Sequence, residues 1–415
     1  MYKFQDFKIN FCRLCNKKNI NKALFLGKSP IGNHLYNNID EKENVKYPLG
    51  LNLCHDCGHL QLSHKLPNTV LFQNNYTYLT GATLVFKNYL ENYVNQICEE
   101  FVNIDGCKVL EIGSNDGTCL NFFKEKKCEV LGIDPAIEIS KIANQNGIDT
   151  IPDFFNSKTA KKIHEQYGKF SIITSHNTLA HVDNLLDVFK GVKVLLENDG
   201  IFIFEVGYRL DVIENFWFDT VYHEHLDYHA LYPLERALKS LGFKVFRVER
   251  GDQQGGSIRI YCSLPSSKQE IEKCIFNTIE KEKEMKLFEL VTYKKFDESI
   301  KTVGIKLSKI ISSYKKLGKK IVGYGWPTKA ATLMTKFNLN EEHFDFFVED
   351  NQLKQNKFTS LGKIPIYSSE ILYEQKPDLI FIFAWNFYQS ILEKHIDLRK
   401  YGVKFLVPLP KPRIF

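Results

Sequence analysis

No stretch of this chain approaches the ~20 apolar residues of a membrane-spanning helix. The opening Met1-Tyr-Lys-Phe-Gln-Asp-Phe7 also lacks the apolar centre of a signal peptide. These absences predict a soluble, cytoplasmic protein with no membrane partner. An excess of one charge is missing too. A net charge of +6 over 415 residues, with no concentrated Lys/Arg tract, argues against nucleic acid as a partner. Ten cysteines dispersed over this length do not make a secreted disulfide scaffold. The dinucleotide G-x-G-x-x-G spacing is absent as well, which argues against a nicotinamide oxidoreductase.

What is present is a globular composition, 44% apolar and rich in Phe and Tyr, long enough for two or three domains. Four of the cysteines are paired, as Cys12-Arg-Leu-Cys15 and Cys54-His-Asp-Cys57. Each C-x2-C turn offers two thiolates, and two turns close an all-sulfur tetrahedral site suited to structural zinc. With four sulfurs no position is left for water. His55 and His59 are expected beside the ion rather than on it. The module is predicted to span residues 1–70.

An α/β unit is expected over residues 71–265. A helix is predicted from Phe86 to Val102. After it, Val109-Leu-Glu111-Ile-Gly113-Ser114-Asn115-Asp-Gly117 reads as a buried strand, a Gly-rich turn and the start of a helix. Further strands are expected at Glu129–Asp134, Ile148–Ile151, Phe170–Thr174 and Gly200–Val206. Alternation with helices implies a doubly wound, mainly parallel sheet with ligands at the strands' carboxyl ends. Asp134 lies 21 residues beyond Gly113. It can accept both hydroxyls of a ribose, or cap the helix that Pro135 opens. The acidic turn suits a cationic nucleoside better than a pyrophosphate. It resembles motif I of class I S-adenosylmethionine (SAM)-dependent methyltransferases. That resemblance implies Glu111, Gly113, Ser114, Asn115, Gly117 and Asp134 as cofactor contacts, with Asn177 after the fourth strand.

Two more segments carry proton-transfer groups. Asn177-Thr-Leu-Ala-His181 follows the fourth strand, and His181 either meets ligand or fills a helix-capping or core position. Tyr222-His223-Glu224-His225 follows the fifth strand, beside Phe216, Trp217 and Phe218. Histidine needs no tuning to act as a base near neutrality, and a carboxylate neighbour can orient it. A second metal site is the competing reading, although the spacing is not that of H-E-x-x-H.

The last third opens with one or two solvated helices over Lys268–Leu317. A second strand–turn–helix unit follows at Lys319-Lys-Ile-Val-Gly-Tyr-Gly-Trp-Pro-Thr-Lys329. Residues 266–415 are expected to form a helical joint and a smaller Rossmann-like domain. Lys329 would lie in a first helical turn able to hold a phosphate.

Taken in order, the two C-x2-C pairs, Glu111–Gly117, Asn177–His181, Tyr222–His225, Gly255-Gly-Ser-Ile-Arg259 and Gly323–Lys329 resemble the sugar C-methyltransferases of deoxysugar biosynthesis. Members of that family methylate C-3 of nucleotide-linked 4-keto-6-deoxy sugars. The resemblance implies SAM and structural Zn2+ as cofactors and a nucleotide-diphosphate sugar as substrate. It further implies His225 as base, with Tyr222, Glu224, His181 and Tyr76 around the sugar; His223 and Lys329 are expected to contact substrate. Two departures bear on the substrate: Gln254 stands where relatives often carry His, and Trp326 replaces a smaller residue. The expected protein is a monomeric enzyme. The alternatives are an O- or N-methyltransferase on a related sugar, and a zinc-containing scaffold that no longer catalyses.

Overall fold

The computed structural model describes residues 7–67, 71, 79–82, 84–101, 106–252 and 255–415. Tyr76 and Gln254 lie outside the described residues.

Three sheets organise the chain. The first is antiparallel and joins Ile20–Ser29, Tyr47–Cys54, Leu60–Leu62 and Asp227–Tyr228 in that order. Its register pairs Ile20 with Cys54. The hairpin therefore returns the second cysteine turn to the first, and the long interval between the turns is this hairpin. The fourth strand comes from far along the chain, immediately after the Tyr222–His225 segment.

The central sheet runs from edge to edge as Thr150–Ile151, Glu129–Ile133, Lys108–Ile112, Phe170–His176, Leu196–Gly207, Ser257–Ser263 and Lys244–Gly251. The first five strands are mutually parallel. Ser257–Ser263 is antiparallel to both its neighbours. The apolar runs expected for strands buried on both faces account for the parallel part. The closing hairpin of Lys244–Gly251 and Ser257–Ser263 was not expected. Lys108–Ile112 and Phe170–His176 are neighbours whose chains leave toward opposite edges, so a crevice opens between their carboxyl ends.

Leu84–Phe101 is helical, with Tyr93, Val94 and Ile97 buried on the face toward this sheet. The expected joint is two helices, Lys273–Glu284 and Leu290–Lys316. Tyr293, Phe296, Ile300, Val303, Leu307 and Ile311 form the buried face of the longer one. The third sheet has five parallel strands with antiparallel strands at both edges, and its central strand is Ile321–Tyr324. One apolar core runs continuously from the first sheet through the long helix into this third sheet. Among the described residues no helix is long and apolar enough to cross a membrane.

Candidate active site and metal centre

Four thiols converge as the hairpin register requires. Cys12 Sγ lies 3.6 Å from Cys57 Sγ, and Cys15 Sγ lies 3.6 Å from Cys54 Sγ. All four sulfurs are within 4.8 Å of one another. A tetrahedral ion with bonds of about 2.3 Å holds its sulfurs about 3.8 Å apart, so the donor set fits zinc. Each knuckle is closed by a backbone bond, Asn16 N–H to Cys12 O and Gly58 N–H to Cys54 O, both 2.9 Å. His59 is not a ligand; its Nε2 lies 2.8 Å from Asp227 Oδ1.

At the crevice of the central sheet a cavity is lined by Glu111, Gly113, Ser114, His176 and Asn177. Thr80, Phe86 and Leu90, from the segment and helix that cover it, complete the wall with Cys119. Gly113 has φ +75°, and a Cβ there would sit 2.1 Å from Thr178 Oγ1. Only glycine fits. Gly117, also left-handed, starts the helix Thr118–Glu125. The Asp134 carboxylate accepts the Asn115 N–H at 3.0 Å and the Ala136 N–H at 2.8 Å. It thus binds the turn to the second strand and holds the N–H of Ala136, which is itself the N-cap of the helix Ile137–Gln145; Asp134 is not the cap, and Pro135 precedes the helix rather than opening it. Burial raises its pKa, and these two bonds offset part of the rise. Ser114 Oγ and Glu111 Oε2 are buried without a hydrogen-bond partner. Orphaned polar atoms beside a cavity are the mark of a site that a polar ligand completes. The Asn115 side chain faces the covering segment instead, accepting the Thr80 N–H at 2.9 Å.

The Gly255–Arg259 motif supports this cavity from behind. Ser257 Oγ donates to Glu205 Oε1 at 2.6 Å, and Arg259 Nε donates to Glu205 Oε2 at 3.1 Å. Tyr89, on the covering helix, donates to the same carboxylate and accepts from Arg259. Gly256, at φ +121°, leaves space that a Cβ would take from Asp211, at 2.3 Å.

The histidine segments meet at the same end of the sheet. His225 Nδ1 lies 3.2 Å from the Thr220 carbonyl, which only an N–H can satisfy, so Nδ1 carries the proton. Nε2 is then the acceptor, and it takes the Tyr222 hydroxyl at 2.7 Å. His181 likewise donates from Nδ1 to Glu224 O at 2.7 Å, and its ring centre is 4.8 Å from that of His225. Burial, then the neighbouring His181, holds the His225 pKa well below the usual imidazole value. Burial pushes the Glu224 carboxyl up to about 7, and its Oε2 has no partner.

Two of the expected substrate contacts, His223 and Lys329, are enclosed by protein side chains. His223 is buried edge-on against Tyr47 of the first sheet, with its pKa lowered by burial to about 4. The chain turns at His223 and Glu224, where His225 N–H donates to Tyr222 O at 3.1 Å, and this turn separates His223 from His225 and Tyr222. Lys329 does not present its ammonium to a phosphate-facing surface. It is buried between the rings of Trp217 and Trp385, 4.5 and 4.4 Å from their centres, with Asp219 Oδ2 at 3.7 Å. The turn before it is also covered, because Trp326 Nε1 donates to Gly32 O at 3.1 Å and Thr328 Oγ1 to Asn33 Oδ1 at 2.9 Å. Sequence reasoning missed Glu205, Asp219, Asp227 and Arg13, whose partners are all distant in the chain. The available signal was Asp219 and Asp227 flanking a segment so rich in aromatics and histidine.

Residues 12–72 match a zinc binding domain, 86–248 a methyltransferase domain and 252–410 a C-methyltransferase C-terminal domain. The C-methyltransferase NovU of Streptomyces niveus is 29% identical over 407 residues, covering 98% of this chain and 97% of its own. A ubiquinone biosynthesis O-methyltransferase of Actinobacillus pleuropneumoniae serotype 5b (strain L20) is 33% identical over 109 residues, 24% of this chain and 45% of its own. Among solved structures, the PH0226 protein of Pyrococcus horikoshii OT3 aligns with 46% of this chain and 97% of its own, at 15% identity and TM-score 0.38. The chain is an S-adenosylmethionine-dependent methyltransferase that carries a zinc-binding module and the C-terminal domain of the C-methyltransferases.

Proposed function

We propose that this enzyme methylates the carbon next to the ketone of a nucleotide-linked keto-deoxysugar, with His225 as the base. The substrate class follows from the resemblance of the ordered motifs to sugar C-methyltransferases. The role of His225 rests on one observation above all, the 2.7 Å contact between Tyr222 and an Nε2 that must be unprotonated. A depressed pKa keeps the imidazole in its free-base form at neutral pH.

A C–H bond next to a ketone is acidic because the electron pair left behind spreads onto the carbonyl oxygen. His225 Nε2 takes that proton when the substrate's C–H displaces the Tyr222 hydroxyl. Tyr222, thus released, is a donor for the developing oxyanion, and His181 Nε2 and the Glu224 carboxyl are further polar groups for the sugar. SAM, when bound, would supply an activated methyl electrophile to that carbon, and Glu111, Gly113, Ser114, Asn115, Gly117, Asp134 and Asn177 would hold it. A positioned base contributes about 10²–10⁴-fold, and alignment of the two substrates much of the remainder. Tyr76 belongs to the sugar site on the strength of the resemblance. Residues 1–70, 71–265 and 266–415 serve as zinc, cofactor and nucleotide-facing units of one cytoplasmic enzyme.

The test is exchange of solvent deuterium into the carbon next to the ketone of a nucleotide-linked 4-keto-6-deoxy sugar. The native enzyme should exchange it and His225→Ala should not. Exchange at full rate in His225→Ala would refute the assignment. Mass spectrometry of the product distinguishes a new carbon–methyl bond from the acid-labile or ether methyl of the O-methyltransferase alternative.

A further inference from the structure

We infer that Arg13, the residue between two zinc ligands, is a positioning residue that fixes the separation of His181 and His225. The inference rests on the reading of His225 as base. Arg13 lies between Cys12 and Cys15, so its main chain is set by the knuckle, and its N–H donates to Gln61 Oε1 at 2.8 Å. Its guanidinium leaves the zinc module altogether. Nε and Nη2 donate to the two oxygens of Asp227 at 2.9 and 3.0 Å. Nη2 also donates to Val182 O at 2.7 Å, and Nη1 to Asp183 O at 3.2 Å. Val182 follows His181 directly, and Asp227 stands two residues after His225. One planar group therefore grips both histidine-bearing segments at once.

Those segments have only a short contact of their own. Leu226 N–H donates to Ala180 O at 2.7 Å, and His181 Nδ1 to Glu224 O at 2.7 Å. His59, next to the second knuckle, adds a third hand on Asp227 at 2.8 Å. Asp227 could be satisfied by His59 and any single cation. The two carbonyl contacts, by contrast, demand the fixed fork of a guanidinium, which lysine cannot reproduce. The zinc knuckles thereby act as a rigid mount for the catalytic pair, and the spacing of the two rings is set from outside the methyltransferase sheet.

The experiment uses full-length, zinc-loaded enzyme carrying Arg13→Gln, Arg13→Lys, or Arg13→Gln with Asp227→Asn. Zinc content, S-adenosylhomocysteine affinity, kcat, KM and amide hydrogen exchange are measured for each. A displacement of about 1 Å costs on the order of 10²-fold in rate, so kcat should fall by about that factor in Arg13→Gln. Zinc content and S-adenosylhomocysteine affinity should hold, and exchange should quicken in residues 177–183 and 222–228 alone. Arg13→Lys should recover only a small part. The double variant, which leaves no unpaired carboxylate, should be no slower than Arg13→Gln. Unchanged kcat in Arg13→Gln overturns the inference, as does a loss of zinc or cofactor affinity that parallels the loss of rate. A dead His225→Ala beside a fully active Arg13→Gln sinks the positioning role alone. Full deuterium exchange in His225→Ala sinks the base assignment instead.

Discussion

Replacing Lys329 by methionine keeps much of the side chain's length and removes only its charge. The ammonium is 3.7 Å from Asp219 Oδ2 and enclosed by two indoles. At an effective dielectric of about 20, that separation is worth about 4 kcal/mol, and the ring faces add up to about 2 kcal/mol in a dry site. Desolvation opposes both terms: burial lowers the Lys329 pKa and raises that of Asp219, and each partner restrains the other's shift. The decisive quantity is therefore what removal strands. Asp219 would keep Trp385 Nε1, at 2.7 Å, but would lose its cation while fully buried. Breaking one side of such a pair costs about 3–5 kcal/mol. Lys329→Met and Asp219→Asn should each destabilise by that amount. The double variant should lose less than their sum, with a coupling of about 2–3 kcal/mol. Urea unfolding followed by tryptophan fluorescence reads this interface directly, because two of the chain's three tryptophans form its walls. An unmoved fluorescence transition in Lys329→Met, together with a several-fold rise in KM for the nucleotide sugar, would refute the reasoning and return Lys329 to a phosphate.

Three further outcomes follow from the geometry. His223 titrates near 4 when folded against about 6.5 unfolded, so below pH 6.5 the unfolded chain binds a proton that the folded chain refuses. Stability should fall by about 3 kcal/mol between pH 6.5 and 4 on this account. His223→Phe, still packed on Tyr47, should flatten that fall in acid-unfolding curves while leaving kcat intact. Asp134→Ala removes the acceptor of two backbone N–H groups, each worth about 1.5–3 kcal/mol with a charged partner. Calorimetry should then show S-adenosylhomocysteine affinity lowered by more than tenfold, with Asp134→Asn intermediate. Gly113→Ala should abolish cofactor binding, since its Cβ would overlap Thr178; wild-type affinity in that variant would mean the turn is wrongly placed.

What could be read from the residues alone was the local chemistry. The paired cysteines and the strand–turn–helix at Val109–Gly117 depend on neighbours a few residues away, and periodicity carries them. The histidine segments were visible as a dense set of proton-transfer groups, but which of them face the site was not. His223 and His225 differ by two positions yet belong to different surroundings, because the chain between them bends and the zinc sheet claims one of them. At Lys329 a Gly-rich turn and a helix start suggest an anion, and nothing local in the sequence reports that Trp217 and Trp385 enclose the ammonium. Its partner Asp219 lies on a loop that tertiary packing alone brings near. The hairpin of Lys244–Gly251 and Ser257–Ser263 escaped because the Gly255-Gly-Ser-Ile-Arg259 motif drew the reading toward ligand instead of sheet.

The strand Asp227–Tyr228, fourth in the first sheet, also bears on how the protein is made. The sheet's preceding three strands leave the ribosome by Leu62, and their last edge, Leu60-Gln61-Leu62, is buried in the finished protein. At about 5–20 residues per second, the partner strand emerges on the order of ten to thirty seconds later. Throughout that interval an unpaired strand edge carrying two leucines is open to the wrong strand. Early capture of zinc would brace the nascent hairpin without covering it. Chaperone demand during synthesis should therefore peak before residue 228, and a gene fusion that delays the appearance of that strand should aggregate even though every domain in it is intact.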